Sequence, residues 1–324
     1  MEFLSKQAEA SRCVAKCGFQ RLGKKNIDFP YPDPLLKEKT IMSLKKISAL
    51  FGAAILAVTL SACGGTGADN KADSNNNANG KTAANTAKAE GDNFTVGFDA
   101  NFPPYGYKDE KTGEYIGFDL DLAAEVAKRN GWKLVKQPID WDAKDMELNS
   151  GTIDCLWNGF TINGREDKYT WSKPYVDNSI VFVTKTADKI ADTKGLAGKN
   201  VLVQADSSAL AALKDENKQD LVSSFASLTE VPDYNQAFMN IEAGAADAVA
   251  VDVGVAKYQL SQREAGLFTI MEPPFSSEQY GVGFKLGNEA LRDQVQKSLD
   301  EMISDGTFME LAKKYELETA VIAK

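Results

Sequence analysis

Histidine is absent from all 324 residues. That removes the commonest general base, every His-ligated zinc site and every Ser-His or Cys-His nucleophile pair. The groups left for chemistry are suited to recognising charge. Arg165 carries a planar fork that can hold a carboxylate through two parallel hydrogen bonds, and its plainer reading is a solvated arginine in an exposed turn. Ser207 and Ser208 stand where a helix begins, so free backbone N–H groups and the positive end of the dipole would attract an anion there. Simple N-capping explains one of the two serines equally well. Asp252 follows the apolar run Ala248–Val251 at the carboxyl end of a strand, where an acid faces a cleft and can pair with a cation. Its plainer role is to cap the helix that starts at Val253.

The chain around these residues divides by composition. At roughly 150 residues per domain, the length suggests about two domains. A content of 43% hydrophobic and 26% charged residues excludes a polytopic membrane protein, a collagen and a wholly disordered chain. The net charge of −9 argues against a broad nucleic-acid or anionic-membrane surface. Ile47 to Leu60 is an uncharged apolar run of fourteen residues, short of the about twenty needed to span a bilayer. Lys45 and Lys46 precede it and small residues follow, which is the layout of a secretory signal peptide.

The exit, Leu60-Ser61-Ala62-Cys63-Gly64, resembles the lipobox of bacterial lipoproteins, which implies that Cys63 is acylated and becomes the first mature residue. The alternative is a chance cysteine after an apolar run. A signal peptide of ordinary length would start at Met42. Residues 1–41 are then a non-native upstream extension from a misplaced start, the alternative being an unusual native extension, with 42–62 the lipoprotein signal peptide and 63–91 the lipidated cysteine with its tether. Cys13 and Cys17 lie in the discarded part, and a lone Cys-x3-Cys is a weak metal signal. Residues 1–62 hold ten Lys/Arg and five Asp/Glu, so the mature chain keeps 27 basic and 41 acidic residues, a net −14. Gly64 to Asp92 lacks large apolar residues and cannot bury a core. Its about 28 residues would reach roughly 30 Å. Cys155 then has no partner and reads as a small buried hydrophobe.

The body alternates strands and helices. Phe94–Phe98 predicts a strand, Asp119 opens a helix stopped by Gly131, and Trp132–Val135 predicts the next strand. A short helix over Asp142–Leu148 leads to a strand over Thr152–Trp157. In the middle, strands over Asn200–Gln204, Asp247–Val251 and Leu267–Met271 alternate with helices from Ser207, Tyr234 and Val253, and the end is helical over Glu289–Ile303 and, after Gly306, over Thr307–Tyr315. This βαβ order predicts an α/β fold of two lobes, each a mainly parallel sheet flanked by helices. Ligands of such sheets sit beyond the carboxyl ends of the strands, so the cleft between the lobes is the place for a site.

Several segments in order resemble the bacterial solute-binding proteins for polar amino acids, the receptors of ABC importers (family 3). They are Asp99-Ala-Asn-Phe102-Pro-Pro-Tyr105, Gly117-Phe-Asp119-Leu-Asp121, Asn158-Gly159-Phe160-Thr161-Ile-Asn-Gly-Arg165-Glu166, Trp171-Ser-Lys-Pro-Tyr175, Gln204-Ala-Asp-Ser207-Ser208, Ala248–Asp252 and Tyr280-Gly-Val-Gly-Phe284. The resemblance covers about 230 residues and implies a two-lobed periplasmic-binding-protein-like fold of type II. It divides the body into 92–183 with 281–324 as lobe 1 and 184–280 as lobe 2, and places the two hinge crossings near Ile180–Thr184 and Tyr280–Phe284. It also implies the site. Arg165, Ser207 and Ser208 would take the ligand's carboxylate. Asp252, the Gly159 carbonyl and the Thr161 hydroxyl would take its ammonium. Asp99, Phe102, Tyr105 and Trp141 would form the side-chain pocket, with ordinary core the plainer reading for Tyr105 and a solvated acid for the nearby Asp142. In the family one more residue separates the threonine from the arginine, so this loop is shorter by one.

The implied function is a monomeric lipid-anchored receptor on the extracytoplasmic face of the cell membrane. It would capture a polar L-amino acid and hand it to the permease subunits of an ABC importer, without cofactor, metal or nucleic acid. Asp99 favours glutamine, arginine, lysine or histidine over glutamate, and cystine-binding relatives share the frame. The competing reading is a periplasmic enzyme like cyclohexadienyl dehydratase, which needs a general acid in the cleft; Asp99 and Asp252 are better explained by recognition of an amine. A sensor domain of a receptor would need a second membrane or signalling segment, and none follows Lys324.

Overall fold

A computed structural model describes residues 85–322. The upstream extension, the signal peptide, Cys63 and most of the tether lie outside the described residues.

The first sheet runs in the order Lys133–Pro138, Asn93–Phe98, Cys155–Leu156, Gly283–Lys285, Tyr169–Trp171. Its first three strands are parallel, and Gly283–Lys285 is antiparallel to both of its neighbours. The second sheet runs Ser227–Val231, Asn200–Gln204, Ala248–Asp252, Val176–Lys185, Phe268–Ile270, with Ser276–Tyr280 also paired to Val176–Lys185. Here too the first three strands are parallel, while Val176–Lys185 is antiparallel to Ala248–Asp252. Each lobe thus has a three-stranded parallel core, built by βαβ units, to which the strands nearest the crossings add in the opposite sense.

The helix Phe118–Asn130 shows why the sequence folds as it does. Phe118, Leu120, Leu122, Ala123, Val126 and Ala127 are buried, and Gly131 ends the helix in the left-handed conformation. At its start, Gly117 has φ +139 and ψ 164, and a Cβ there would fall within the Tyr105 carbonyl. Only glycine fits. Gly117→Ala is therefore expected to cost about 3–5 kcal/mol through backbone strain and overlap together. Gly113→Ala, at φ +75 with nothing within 4 Å, should cost about 1–2 kcal/mol. Urea unfolding of the two variants checks the difference; equal midpoints would show that the overlap does not matter.

The chain leaves the first sheet at Trp171 and enters the second at Val176. Ile180–Thr184, where the first crossing was expected, instead lies inside the strand Val176–Lys185. That strand is fixed by pairing on both sides, so the change of sheet falls upstream, at 172–175. The return lies between Tyr280 and Gly283, within the expected stretch. The tail clasps the first crossing, with Val321 bridged to Val176 and the Asp177 N–H donating to the Ala320 carbonyl at 2.8 Å. The end of the tether is likewise pinned: Lys88 bonds Gln294 through both its backbone groups and pairs with Asp154 at 2.8 Å. The body thus begins upstream of residue 92. Cys155 is buried and free, as expected.

Candidate functional site

The polar residues of the cleft lie where parallel strands end. Asp99 follows Asn93–Phe98, Asn158 follows Cys155–Leu156, and Gln204 and Asp252 are the last residues of Asn200–Gln204 and Ala248–Asp252. Every one of them is buried, yet each stands at a strand end rather than within a layer.

An inner pocket is lined by Phe102, Trp141, Asn158, Gly159, Phe160, Thr161, Arg165, Gln204, Ser207, Ser208 and Asp252. Residues from both lobes meet across it. The Gln204 amide donates to Asp99 at 2.6 Å. Arg165 spans the lobes, donating to the Thr161 carbonyl on its own side and to the Asp206 carbonyl opposite, both at 3.3 Å, with its guanidinium 5.2 Å from the Phe160 ring centre. The shortened loop still delivers Arg165 to the pocket because it turns tightly: the Arg165 N–H donates to the Ile162 carbonyl and Gly164 takes φ +76. Asp206 itself sits at φ +54, which aims its carbonyl at Arg165 and Lys144. Lys144 is buried beneath Trp141 and also pairs with the Asp206 carboxylate.

The expected roles sort out as follows. Phe102, Trp141, Gly159, Thr161, Arg165, Ser207, Ser208 and Asp252 come together around the inner pocket. Asp99 faces an adjoining chamber of about 550 Å3, shared with Trp141 and four further acids, Asp140, Asp142, Glu147 and Asp233. Tyr105 does not reach either space. It packs edge-on against Tyr280 with ring centres 5.2 Å apart, and its hydroxyl lies where a side chain on Gly254 would be, so it belongs to the apolar seam between the lobes. Ser207 acts as an N-cap: its hydroxyl accepts from the Leu210 N–H at 3.1 Å and donates to the Gln204 carbonyl at 2.8 Å. Asp252 stands in the capping position of the helix Val253–Ser261, but its side chain makes no capping bond. It accepts instead from Asn178 at 2.8 Å and from the Tyr280 hydroxyl.

Electrostatics explain which acids are held ready. Burial pushes the Asp99 carboxyl up to about 6, against the pull of the Asn101 N–H and the Gln204 amide. Burial, then the neighbouring Glu278, pushes Asp252 well above the ordinary carboxylate range. Asp119 supports the floor of the pocket. Its carboxylate accepts the Gly159 N–H at 2.6 Å and the Tyr175 hydroxyl at 2.8 Å, and burial raises it to about 7. Gly159 is at φ +57, and a Cβ there would press on Phe102 at 2.8 Å; the close approach of backbone to the pocket depends on its lacking one.

Sequence reasoning missed Asn158, Phe160, Gln204, Asn178 and Glu278. The strand-end rule could have found Asn158 and Gln204, each the polar end of an apolar run. No signal marks Glu278, which sits in the polar stretch Ser276-Ser-Glu-Gln-Tyr280.

The chain has recognisable relatives. Residues 94–318 match the model of the bacterial extracellular solute-binding proteins, family 3. The L-cystine-binding protein TcyA of Bacillus subtilis is 30% identical over 272 residues, covering 84% of this chain and 97% of the relative. A substrate-binding protein of an ABC uptake transporter from Streptococcus pneumoniae, solved with bound histidine, superposes with a TM-score of 0.68 at 30% identity, covering 71% of this chain and 94% of the other. An ancestral arginine-binding protein bound to glutamine gives 0.64 at 33% identity, with coverage of 70% and 98%.

Proposed function

Because the chain belongs to the bacterial extracellular solute-binding proteins of family 3, we propose that it is the amino-acid receptor of an ABC importer, binding a polar L-amino acid between its two lobes. The observation that carries this reading is the joint presence, around one pocket, of Arg165 and of Asp252. A guanidinium fork suits an α-carboxylate, and a buried acid that caps nothing suits an α-ammonium. Thr161 and Ser208 supply hydroxyls beside them. A ligand of about ten heavy atoms held at micromolar Kd needs only about −0.8 kcal/mol per atom, within reach of a small ligand with every charge paired.

The relatives carry names of binding proteins rather than of enzymes, and no dehydratase step is needed to explain either acid. Side-chain preference follows from the chamber beside Trp141. With Asp99, Asp140, Asp142, Glu147 and Asp233 around it, a cationic or amide side chain is favoured and a carboxylate opposed. The inner pocket is closed to about 10 Å3, room for no more than about one water, so the lobes part at 172–175 and 281–282 to admit a ligand. The receptor is monomeric and held to the extracytoplasmic face of the membrane by a lipid on Cys63; among the described residues no helix is long and apolar enough to cross a membrane.

A thermal-shift screen of the twenty amino acids and cystine tests the reading. A ligand present at 100 times its Kd should add about 2.7 kcal/mol to folding stability and raise Tm visibly. Basic amino acids, glutamine or cystine are expected to give the largest shift and glutamate none. A flat screen would overturn the proposal.

A further inference from the structure

The strand Ser276–Tyr280 carries the chain back towards the first lobe, and its Glu278 is buried. One of its oxygens, Oε1, accepts three hydrogen bonds: from the Thr161 hydroxyl at 2.8 Å, from the Asn178 amide at 2.7 Å and from the Ser208 hydroxyl at 3.2 Å. Thr161 follows the first sheet's strand Cys155–Leu156, whereas Asn178 and Ser208 belong to the second lobe. The same Asn178 amide nitrogen also donates to Asp252 at 2.8 Å, so one nitrogen joins two buried acids. It has no further proton to give, and the Asn178 Oδ1 is buried without a donor. We propose that Glu278 is a positioning residue for amino-acid capture: it ties the pocket hydroxyls of both lobes to the returning strand, and with Asp252 it forms an acidic pair that the ligand's ammonium neutralises. The inference rests on the amino-acid reading of the cleft.

Two consequences follow from the chemistry of the pair. The first is mechanical. Thr161 comes from the first sheet and Ser208 from the second lobe, so a carboxylate that holds both favours the closed form, and a ligand needs to supply less of the closing free energy. The second is electrical. A buried acid beside a second carboxylate holds its proton more tightly, and Asp252 is held well above its ordinary range by burial and by Glu278. The groups that face the pair are phenols: Tyr280 on the same strand, Tyr105 from the first lobe and Tyr234 from the helix Tyr234–Glu242. All three are pushed up by burial and stay neutral. The facing cation is Arg165, across the pocket. A proton on Asp252 must therefore leave when an ammonium binds. Affinity should rise with pH until Asp252 is ionised in the free protein, and binding below that point should release a proton.

Glu278→Gln and Glu278→Ala separate the two consequences. Glutamine keeps an Oε1 that can accept all three hydrogen bonds but removes the charge; alanine removes both. Calorimetric titration from pH 5 to 9, in two buffers of different ionisation enthalpy, would use whichever of L-arginine, L-glutamine, L-histidine and L-cystine binds the wild type. Glu278→Ala should lose at least tenfold in affinity at every pH. Glu278→Gln should lose less, and the pH at which its affinity rises should fall, because Asp252 loses a neighbouring negative charge. A purely structural glutamate would not move that profile. Wild-type binding with an unmoved profile in Glu278→Gln, at unchanged Tm, would overturn this inference alone. Failure of the wild type to bind any of the four, or any other amino acid, would overturn the receptor reading and this inference with it.

Discussion

Asp252→Asn and Arg165→Ala should each weaken binding of the captured amino acid by about 2–5 kcal/mol, because each leaves one charged group of the enclosed ligand without its counter-charge. The two losses have different origins. Asp252 is 2% exposed and already bonded to Asn178 and Tyr280. Both donors reach the same oxygen, Oδ1, which asparagine retains as an acceptor, so the loss in Asp252→Asn reports the missing charge rather than a collapsed pocket. Arg165 is only partly buried, and its guanidinium touches carbonyls of both lobes. Its truncation removes the carboxylate fork and one interlobe contact together, so its dissociation rate should rise more than its association rate falls. Trp141→Ala should cost less and change selectivity among side chains, since it removes stacking area between the pocket and the acidic chamber. Calorimetry measures all three. Wild-type affinity in both charge variants would place the site elsewhere.

If Cys63 carries the lipid, Cys63→Ser should release the protein from the membrane or leave it as unprocessed precursor. This outcome is close to all-or-none. The apolar run Ile47–Leu60 is fourteen residues long and too short to span a bilayer. A single acyl chain binds membranes only marginally, and stable anchoring takes more than one; among the described residues no helix is long and apolar enough to cross a membrane, so on the lipoprotein reading the anchor goes with the cysteine. Fractionation of cells expressing the variant reads the result directly. Correctly processed Cys63→Ser that remained in the membrane would eliminate the lipoprotein reading. The same assay applied to a chain starting at Met42 tests whether residues 1–41 matter, and normal processing is expected.

The parts of the fold that sequence made legible are those where local pattern and tertiary role agree. The helix from Phe118 shows its buried positions at helical spacing and its glycine stop, and Ala248–Asp252 is an apolar strand buried throughout. The parts it hid are those held by partners far away. Val176–Lys185 carries Asp177, Asn178 and Ser179 in its first half, which reads as a linker. It is a strand because Ala248–Asp252 and Ser276–Tyr280 pair with it from either side. Ser276–Tyr280 has no apolar alternation at all. Its direction, and hence the inward turn of Glu278, follows only from that pairing. The site was legible residue by residue where a strand end or a family motif marks it. Tyr105 shows the limit: an aromatic two positions past a cleft proline can face the ligand or the seam, and only packing against Tyr280 and Gly254 decides. Asp252 reads in sequence as either cap or ligand acid, and the structure gives it no capping bond but bonds to Asn178 and Tyr280.

Titration of the wild-type protein with its amino acid, alongside the N-acetyl and the carboxamide derivatives of the same amino acid, addresses the central claim most directly. On the proposed reading Arg165 takes the α-carboxylate and Asp252 the α-ammonium, and each derivative removes the charge that one of them pairs with. The free amino acid should bind one per chain, and each blocked derivative should lose at least 2 kcal/mol, about thirtyfold. Equal affinity for the free and the blocked forms would contradict the account, because the cleft would then be reading something other than an α-amino acid.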